Sequence, residues 1–375
     1  MTYKYLSCVS LVFLSSCTVM THTAFPPEEL TDLLNQNVVL LSDSLEELPP
    51  PLKENEIIFL GETHNVDPLI QAASRLAVYL ATHRPVVCAV ECCYGAHPLM
   101  EAVSLGNEKT INPMLYPETI RAFNSSQTAG RKILMTAIDL EHSIHHNKKE
   151  TRLFLQELAN RSTSDEARRI MQDKVAQLTA QDTYDKMSRY LKELKKLFLQ
   201  HFDTFSSVDQ DEILFSMELL VASNRYQSIR KDRQKAHPIR YRYFKKTIKR
   251  AYQKAQQRKA ILLCRVGAAH VSLTDKNFEA RYFAKEYSPT KGKVASIRLV
   301  PLYHGTTKAD EAGPEKQSDI DSIVKMLMKD YEYSYLSLRD LQKNTRNSFR
   351  WSKYYAGGRP KYDGVLFVKT EEKSD

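Results

Sequence analysis

No G-x-S-x-G elbow and no P-loop occurs in the 375 residues. A serine nucleophile raised on a strand-to-helix turn and a glycine-rich phosphate cradle therefore each lack the loop that would build them. No H-E-x-x-H helix and no paired C-x-x-C spacing occurs either, which removes the usual sequence marks of a zinc hydrolase and of a structural zinc site. Cysteine is scarce: there are six, of which Cys8 and Cys17 fall in the leader. Cys88 and Cys264 sit inside apolar strand runs, where a thiol behaves as a small apolar side chain. Cys92 and Cys93 follow a strand end, and a disulfide in an oxidising compartment stays open for them. Beyond the leader no apolar run reaches the roughly 20 residues that a membrane-spanning helix needs. Internal repeats and extended low-complexity segments are absent, and 42% hydrophobic with 26% charged residues is the composition of a folded chain.

The leader reads as an export signal. Lys4 precedes an apolar stretch from Tyr5 to Phe13, and Leu14-Ser15-Ser16-Cys17 follows. That ending resembles the lipobox of bacterial lipoproteins, in which the cysteine becomes the lipid-bearing first residue of the mature chain. The plainer alternative is a cleaved signal that happens to contain a cysteine. With Cys17 lipidated, the chain is expected in the bacterial cell envelope, exported and membrane-anchored, on the periplasmic face of the outer membrane.

The formal charge of +9, from 54 Lys+Arg against 45 Asp+Glu, is concentrated in one place. Between Arg225 and Lys259 the only acid is Asp232, and Tyr226, Tyr241, Tyr243, Phe244 and Tyr252 interleave the cations. Such a run suits nucleic acid or anionic lipid. Export argues against nucleic acid, which leaves headgroup contact by the 225–259 region, with a solvated helix face as the bland alternative.

Alternating strand and helix patterns predict an α/β fold with a mostly parallel central sheet flanked by helices. Residues 1–17 form the signal, and 18–54, with Pro26-Pro27 and Pro49-Pro50-Pro51, a tether and lead-in. The core is expected in two parts, 55–146 and 209–375. Strands are expected at 56–60, 85–90, 133–138, 260–266, 294–300 and 364–368. A helix is expected from about Pro68, which suits a first turn. Between the two parts, 147–208 reads as an inserted helical subdomain, with Met187, Tyr190, Leu191, Leu194, Leu197 and Phe198 on one stripe. The following helical region, 209–258, is expected to break near His237-Pro238.

Three strand ends carry the chemistry. Ile57-Ile58-Phe59-Leu60 runs into Gly61-Glu62-Thr63-His64, Val86 to Val90 runs into Glu91, and Ile261 to Val266 runs into Gly267-Ala268-Ala269-His270. Open α/β sheets place ligands at such carboxyl ends. Two residues apart on extended backbone, Glu62 and His64 share a side, so the carboxylate can fix the imidazole tautomer and leave the other nitrogen to take a proton from water. Glu91 closes a buried strand, where a charge needs a partner, and Arg225 is the candidate. Asp139 ends another core strand, and Glu141, His142, His145 and His146 follow it. His142 and His146 have i,i+4 spacing but no motif that specifies a metal.

The motifs Gly61-Glu62-Thr63-His64, Ala89-Val90-Glu91, Asn224-Arg225, Gly267-Ala268-Ala269-His270 and the late strand Tyr362 to Val368 stand in an order, over roughly residues 55 to 368, that resembles the superfamily joining erythromycin esterases, Tiki/TraB proteins and ChaN-like haem-binding lipoproteins. The esterase branch implies hydrolysis of an ester, lactone or amide in a small-molecule or peptide substrate. His64 would be the general base, Glu62 its orienting partner, and Glu91, Arg225 and His270 would position substrate or stabilise charge. The Tiki branch implies a divalent metal, and the ChaN-like branch a haem-binding iron-uptake protein with a His or Tyr ligand. A third expectation is an envelope interaction protein with a retired site.

Overall fold

A computed structural model of the chain describes residues 27–41, 45, 51–94, 97–106, 116–140, 143–304, 319–344, 354–356 and 359–371. The leader with Cys17, and Glu141 with His142, lie outside the described residues. Ten strands are described: β1 (Val38–Leu41), β2 (Ile57–Glu62), β3 (Val86–Cys93), β4 (Leu134–Asp139), β5 (Ile261–Gly267), β6 (Val294–His304), β7 (Tyr333–Ser337), β8 (Tyr355–Ala356), β9 (Arg359–Pro360) and β10 (Gly364–Glu371). Eight of them form one sheet in the order β1-β7-β10-β6-β2-β5-β3-β4, and β8 pairs with β9 separately. From β10 to β4 every pairing is parallel, while β7 runs antiparallel to both β10 and β1. The mostly parallel α/β architecture expected from the sequence is the one observed.

Both faces of the sheet are covered, which is why its central strands are continuous apolar runs and not alternating ones. Along β2, Ile58 and Leu60 join Leu69, Leu76 and Leu80 of the helix Asp67–His83. Ile57 and Phe59 point the other way, to Phe244, Ile248 and Ala251 of the helix Arg233–Gln257 and to Phe283. Each of these large side chains, fully buried, contributes about 1.5–3 kcal/mol of transfer free energy.

The strand order positions the site. β5 enters between β2 and β3 after the chain has left β4 and run through a long helical excursion. The carboxyl ends of β2, β5, β3 and β4 are therefore neighbours on one edge, which brings Glu62, Gly267, Glu91 and Asp139 together.

The excursion has an apolar cluster of its own. Leu155, Met171, Leu191, Leu194, Phe198, Ile213 and Met217 unite the helices Ile144–Arg161, Asp165–Gln177, Tyr184–Gln200 and Ser207–Ser228. Ser164 and Thr183 cap two of these helices by accepting from the amides of Ala167 and Lys186. The cluster continues past residue 208 into the helix that follows.

The expected break at His237-Pro238 is not where the chain turns. The helix ending at Ser228 is followed by a turn, and Asp232 caps the next helix by accepting from the amide of Lys235. Pro238 is then carried inside Arg233–Gln257, near its start, so the proline costs the helix one early amide bond without ending it. Among the described residues no helix is long and apolar enough to cross a membrane.

Candidate functional site

β2 ends against a turn that leaves no room for a side chain at Gly61. A Cβ there would lie 2.3 Å from a γ-carbon of Val271, in the short turn Ala268–Val271. Past Glu62 the chain reverses at Asn65, whose φ of 63° is a left-handed conformation that asparagine tolerates. The reversal leaves Glu62 buried and His64 half-exposed at the sheet edge. Nδ1 of His64 lies 3.6 Å from Oε1 of Glu62, and Nε2 lies 3.6 Å from Oε2 of Glu91. The Glu62 carboxylate raises the His64 pKa above its usual value; partial burial opposes this, and Glu91 adds to it.

Glu91 sits where β3 slips register against β4, between Val90 and Cys93. An irregularity of this kind re-aims a side chain at a strand end. Its Oε2 accepts from the backbone N–H of Gly267, and its Oε1 lies 2.6 Å from Nη2 of Arg240. The same guanidinium reaches Asp139, fully buried at the end of β4, at 2.6 Å from Nη2 and 3.1 Å from Nε. Burial opposes charge on both Glu91 and Arg240. Their partners outweigh it: His270 first and Arg240 after it hold Glu91 below the ordinary carboxylate range, and Asp139 first and Glu91 after it hold Arg240 above its ordinary value.

His270 donates from Nδ1 to the fully buried Glu279, 2.7 Å away, and its Nε2 lies 3.5 Å from Glu91 Oε1. Burial disfavours the charged ring, but the two carboxylates outweigh it and hold the pKa at about 10. With a carboxylate at each nitrogen, His270 is an imidazolium at neutral pH and donates to both. Phe244 lies against the ring at 4.8 Å between centroids. Gly267 lets these groups meet. A Cβ there would stand 2.9 Å from His64 Nε2 and 3.3 Å from Glu91 Oε2.

Glu62, His64, Glu91, Arg240, Gly267 and His270 line a cleft of about 790 Å³, together with Arg230, Arg265, Arg298, Ile70, Val90 and Tyr226. Arg265 of β5 places Nε 3.5 Å from Glu62 Oε1, while the other carboxylate oxygen, Oε2, is buried with no hydrogen-bond partner among the described residues. The set can hold a proton acceptor at a wet edge and positive charge behind it. It does not fit a metal shell. Both oxygens of Glu91 and the Nδ1 of His270 are already engaged, and among the described residues no group of three or more His, Cys, Asp or Glu is arranged to hold a metal ion.

Glu62, His64, Glu91 and His270 are thus brought together. Arg225 is not among the cleft residues. Its helix is apolar towards Asn224, which is buried and donates to the Tyr184 carbonyl, whereas Val221, one turn before Arg225, is itself 40% exposed, so that face looks outward. Arg240, which the sequence reading passed over within the basic run, takes the place expected of Arg225. His145 is exposed on the helix Ile144–Arg161. His142 lies outside the described residues, and the pairing proposed for it with His146 lies there too.

Part of the basic run is paired within the protein, while Arg225, Arg230, Lys231, Arg233, Lys235, Arg242 and Lys259 are exposed. Besides Arg240, Lys246 pairs with Glu218, Arg250 with Asp211 and Glu212 at 2.7 and 2.8 Å, and Lys254 with Glu101 at 2.7 Å. Lys245 and Lys249 lie over the Tyr282 ring, at 4.9 and 5.1 Å from its centroid.

No protein-family model and no curated protein matches the sequence. Solved structures do match. A protein from Bacillus cereus is similar with a TM-score of 0.61 at 12% identity, over 93% of this chain and 98% of its own. A succinoglycan biosynthesis protein gives 0.61 at 12% identity, over 92% and 97%. A variant of the erythromycin esterase EreC, in its open conformation, gives 0.55 at 12% identity, over 86% and 93%. At such identities the likeness shows the fold, and it extends over most of each chain. The distant resemblance read from the motifs is accompanied by a shared fold.

Proposed function

We propose that the chain is an exported, lipid-anchored hydrolase of an ester, lactone or amide, with His64 as the general base. The observation that carries the reading is the His64 ring standing between two carboxylates at the mouth of a cleft whose inner wall is cationic. A water in the cleft would give a proton to His64 as its oxygen bonds to the substrate carbonyl carbon. Glu62 and Glu91 stabilise the imidazolium that forms. The carbonyl oxygen becomes an oxyanion facing positive charge from His270, Arg265 and Arg298. As the bond to the leaving group breaks, His64 returns the proton to it. The fold shared with an erythromycin esterase supports this chemistry, and Leu14-Ser15-Ser16-Cys17 supports the anchor.

The haem-carrier alternative asks for a predominantly apolar slot for the macrocycle. The described lining carries Arg230, Arg240, Arg265, Arg298, Glu62, Glu91, His64 and His270, which favours the hydrolytic reading. The test is turnover on a panel of esters, lactones and amides by the mature chain, with and without added divalent metal, compared with His64→Ala.

A further inference from the structure

The helices Ser207–Ser228 and Arg233–Gln257 pack on each other through Leu219, Ala222, Tyr226 and Ala236, with Ile229, Ile239 and Tyr243 against that cluster. The contact occupies their inner faces and turns cations outward. On the first helix Leu214, Val221 and Arg225 follow the i, i+7, i+11 spacing of one face, and Leu214 and Val221 are each 40% exposed. On the second, Lys235 and Arg242 stand seven residues apart on one face, and both are exposed. Lys231 is exposed in the turn between the helices. Tyr243 ties the two faces together. Arg242 lies over its ring, 5.8 Å from the centroid, and Arg242 and Arg225 both oppose the rise that burial and then Glu218 give its pKa. Arg225, Lys231, Lys235 and Arg242 thus form one surface across both helices.

Two features of this surface ask for negative charge from outside the protein. Acid is scarce on it: from Arg225 to Tyr243 the only one is Asp232, which caps the second helix and lies 2.8 Å from Lys235, and the neighbouring Glu218 is paired with Lys246. Cations also occupy the first turn of the second helix, Arg233 and Lys235, against the helix dipole and with no acid in that turn. Such an arrangement costs the isolated fold stability, and an anionic surface in front of it relieves that cost. Leu214 and Val221 beside the cations suit a partner that is anionic at its surface and apolar beneath, which a bilayer is and a nucleic acid backbone is not.

We propose that this surface docks the chain on a membrane rich in anionic phospholipid headgroups, as an attachment separate from any acyl chain. The docking rests neither on hydrolysis nor on lipid at Cys17. Tyr226 lines the cleft from the helix end that carries Arg225, so docking holds the cleft beside the headgroups. Each cation at such a surface adds about fivefold to binding, and the attraction falls off within a Debye length.

Co-sedimentation of the mature chain carrying Cys17→Ser with vesicles of equimolar phosphatidylglycerol and phosphatidylcholine tests this without an acyl chain. Binding is expected, with none to phosphatidylcholine alone, and it should weaken at least tenfold as salt rises from about 0.1 M to about 1 M. The triple variant Arg225→Gln/Lys231→Gln/Arg242→Gln should bind about a hundredfold more weakly. Lys192→Gln/Lys195→Gln/Lys196→Gln removes the same charge from the exposed face of the helix Tyr184–Gln200 and should bind as the parent does. Should the first triple variant not fold, Lys231→Gln decides alone, with a loss of about fivefold. No binding to the anionic vesicles, equal binding to neutral ones, unchanged affinity in the first variant or an equal loss in the second overturns the proposal. Binding to a DNA duplex as tight as to the vesicles overturns it too, since the surface would then be a general polyanion contact.

Discussion

Arg240 holds Glu91 across 149 residues of sequence, with Nη2 2.6 Å from Oε1, and through the same guanidinium ties Glu91 to the buried Asp139. The pair sits behind His64 and decides where the second carboxylate of the site points. Removing the guanidinium leaves two buried acids without their common partner.

Arg240→Ala should therefore destabilise the fold by about 3–5 kcal/mol, the cost of breaking a buried ion pair from one side. Arg225→Ala should fall within about 0.5 kcal/mol of the parent, as exposed substitutions do. Denaturant unfolding of both variants checks the contrast. Equal effects would show that Arg225 shares the buried network.

Gly267→Ala places a methyl group where His64 Nε2 and Glu91 Oε2 now come close. The φ of Gly267 is −60°, which alanine also adopts, so no backbone strain is added. The half-exposed His64 ring can move aside at a cost of about 1 kcal/mol or less, but its alignment with the cleft is lost. Turnover should drop at least tenfold with little change in melting temperature. Full activity in this variant would mean that the His64–Glu91 approach is incidental.

Much of this was readable beforehand, for physical reasons. Continuous apolar runs ending in Gly-Glu-Thr-His, Glu and Gly-Ala-Ala-His marked the core strands and the polar ends that meet at one edge, because parallel strands buried on both faces leave that pattern. β1 and β7 were missed: both are short, and β7 runs against the parallel grammar. Arg240 was hidden among the cations of its run. It shares the helix face of Phe244, Thr247, Ile248 and Ala251, all buried, and that i, i+4, i+7, i+8, i+11 alignment was the available signal. Arg265 and Arg298 could have been marked as lone charges inside apolar strands. Glu279 had a weaker mark, an acid at the start of a short helix whose Ala280 and Phe283 are buried.

His270 links alkaline pH to stability. Its folded pKa of about 10 lies above the unfolded value, so the contribution is fully present below about 6.5 and is lost as pH rises through about 10. Melting temperature should fall over that interval, and Glu279→Gln, which removes the charge at Nδ1, should lower it at neutral pH and flatten the alkaline slope. An unchanged slope in Glu279→Gln would remove His270 as its source.

Acylation of Cys17 is expected to hold the mature chain at a membrane, since more than one acyl chain gives stable attachment where a single chain is marginal. Lipid labelling and fractionation of Cys17→Ser read this directly. Retained labelling and membrane residence in the variant would place the anchor elsewhere.

The central claim is that neutral His64 activates water. Its pKa is raised by Glu62, so kcat/KM should decline as pH falls through a value above the ordinary 6.5, when the imidazole gains its proton. The deciding measurement is the pH profile of kcat/KM for a hydrolysed substrate in the mature chain, Glu62→Gln and His64→Ala, with haem titration of the same preparations. The account predicts an acid limb above 6.5 that moves to lower pH in Glu62→Gln, turnover abolished in a folded His64→Ala, and no stoichiometric haem. Wild-type turnover in His64→Ala, or a Soret-absorbing complex at one haem per chain with no hydrolysis of any substrate, would contradict it.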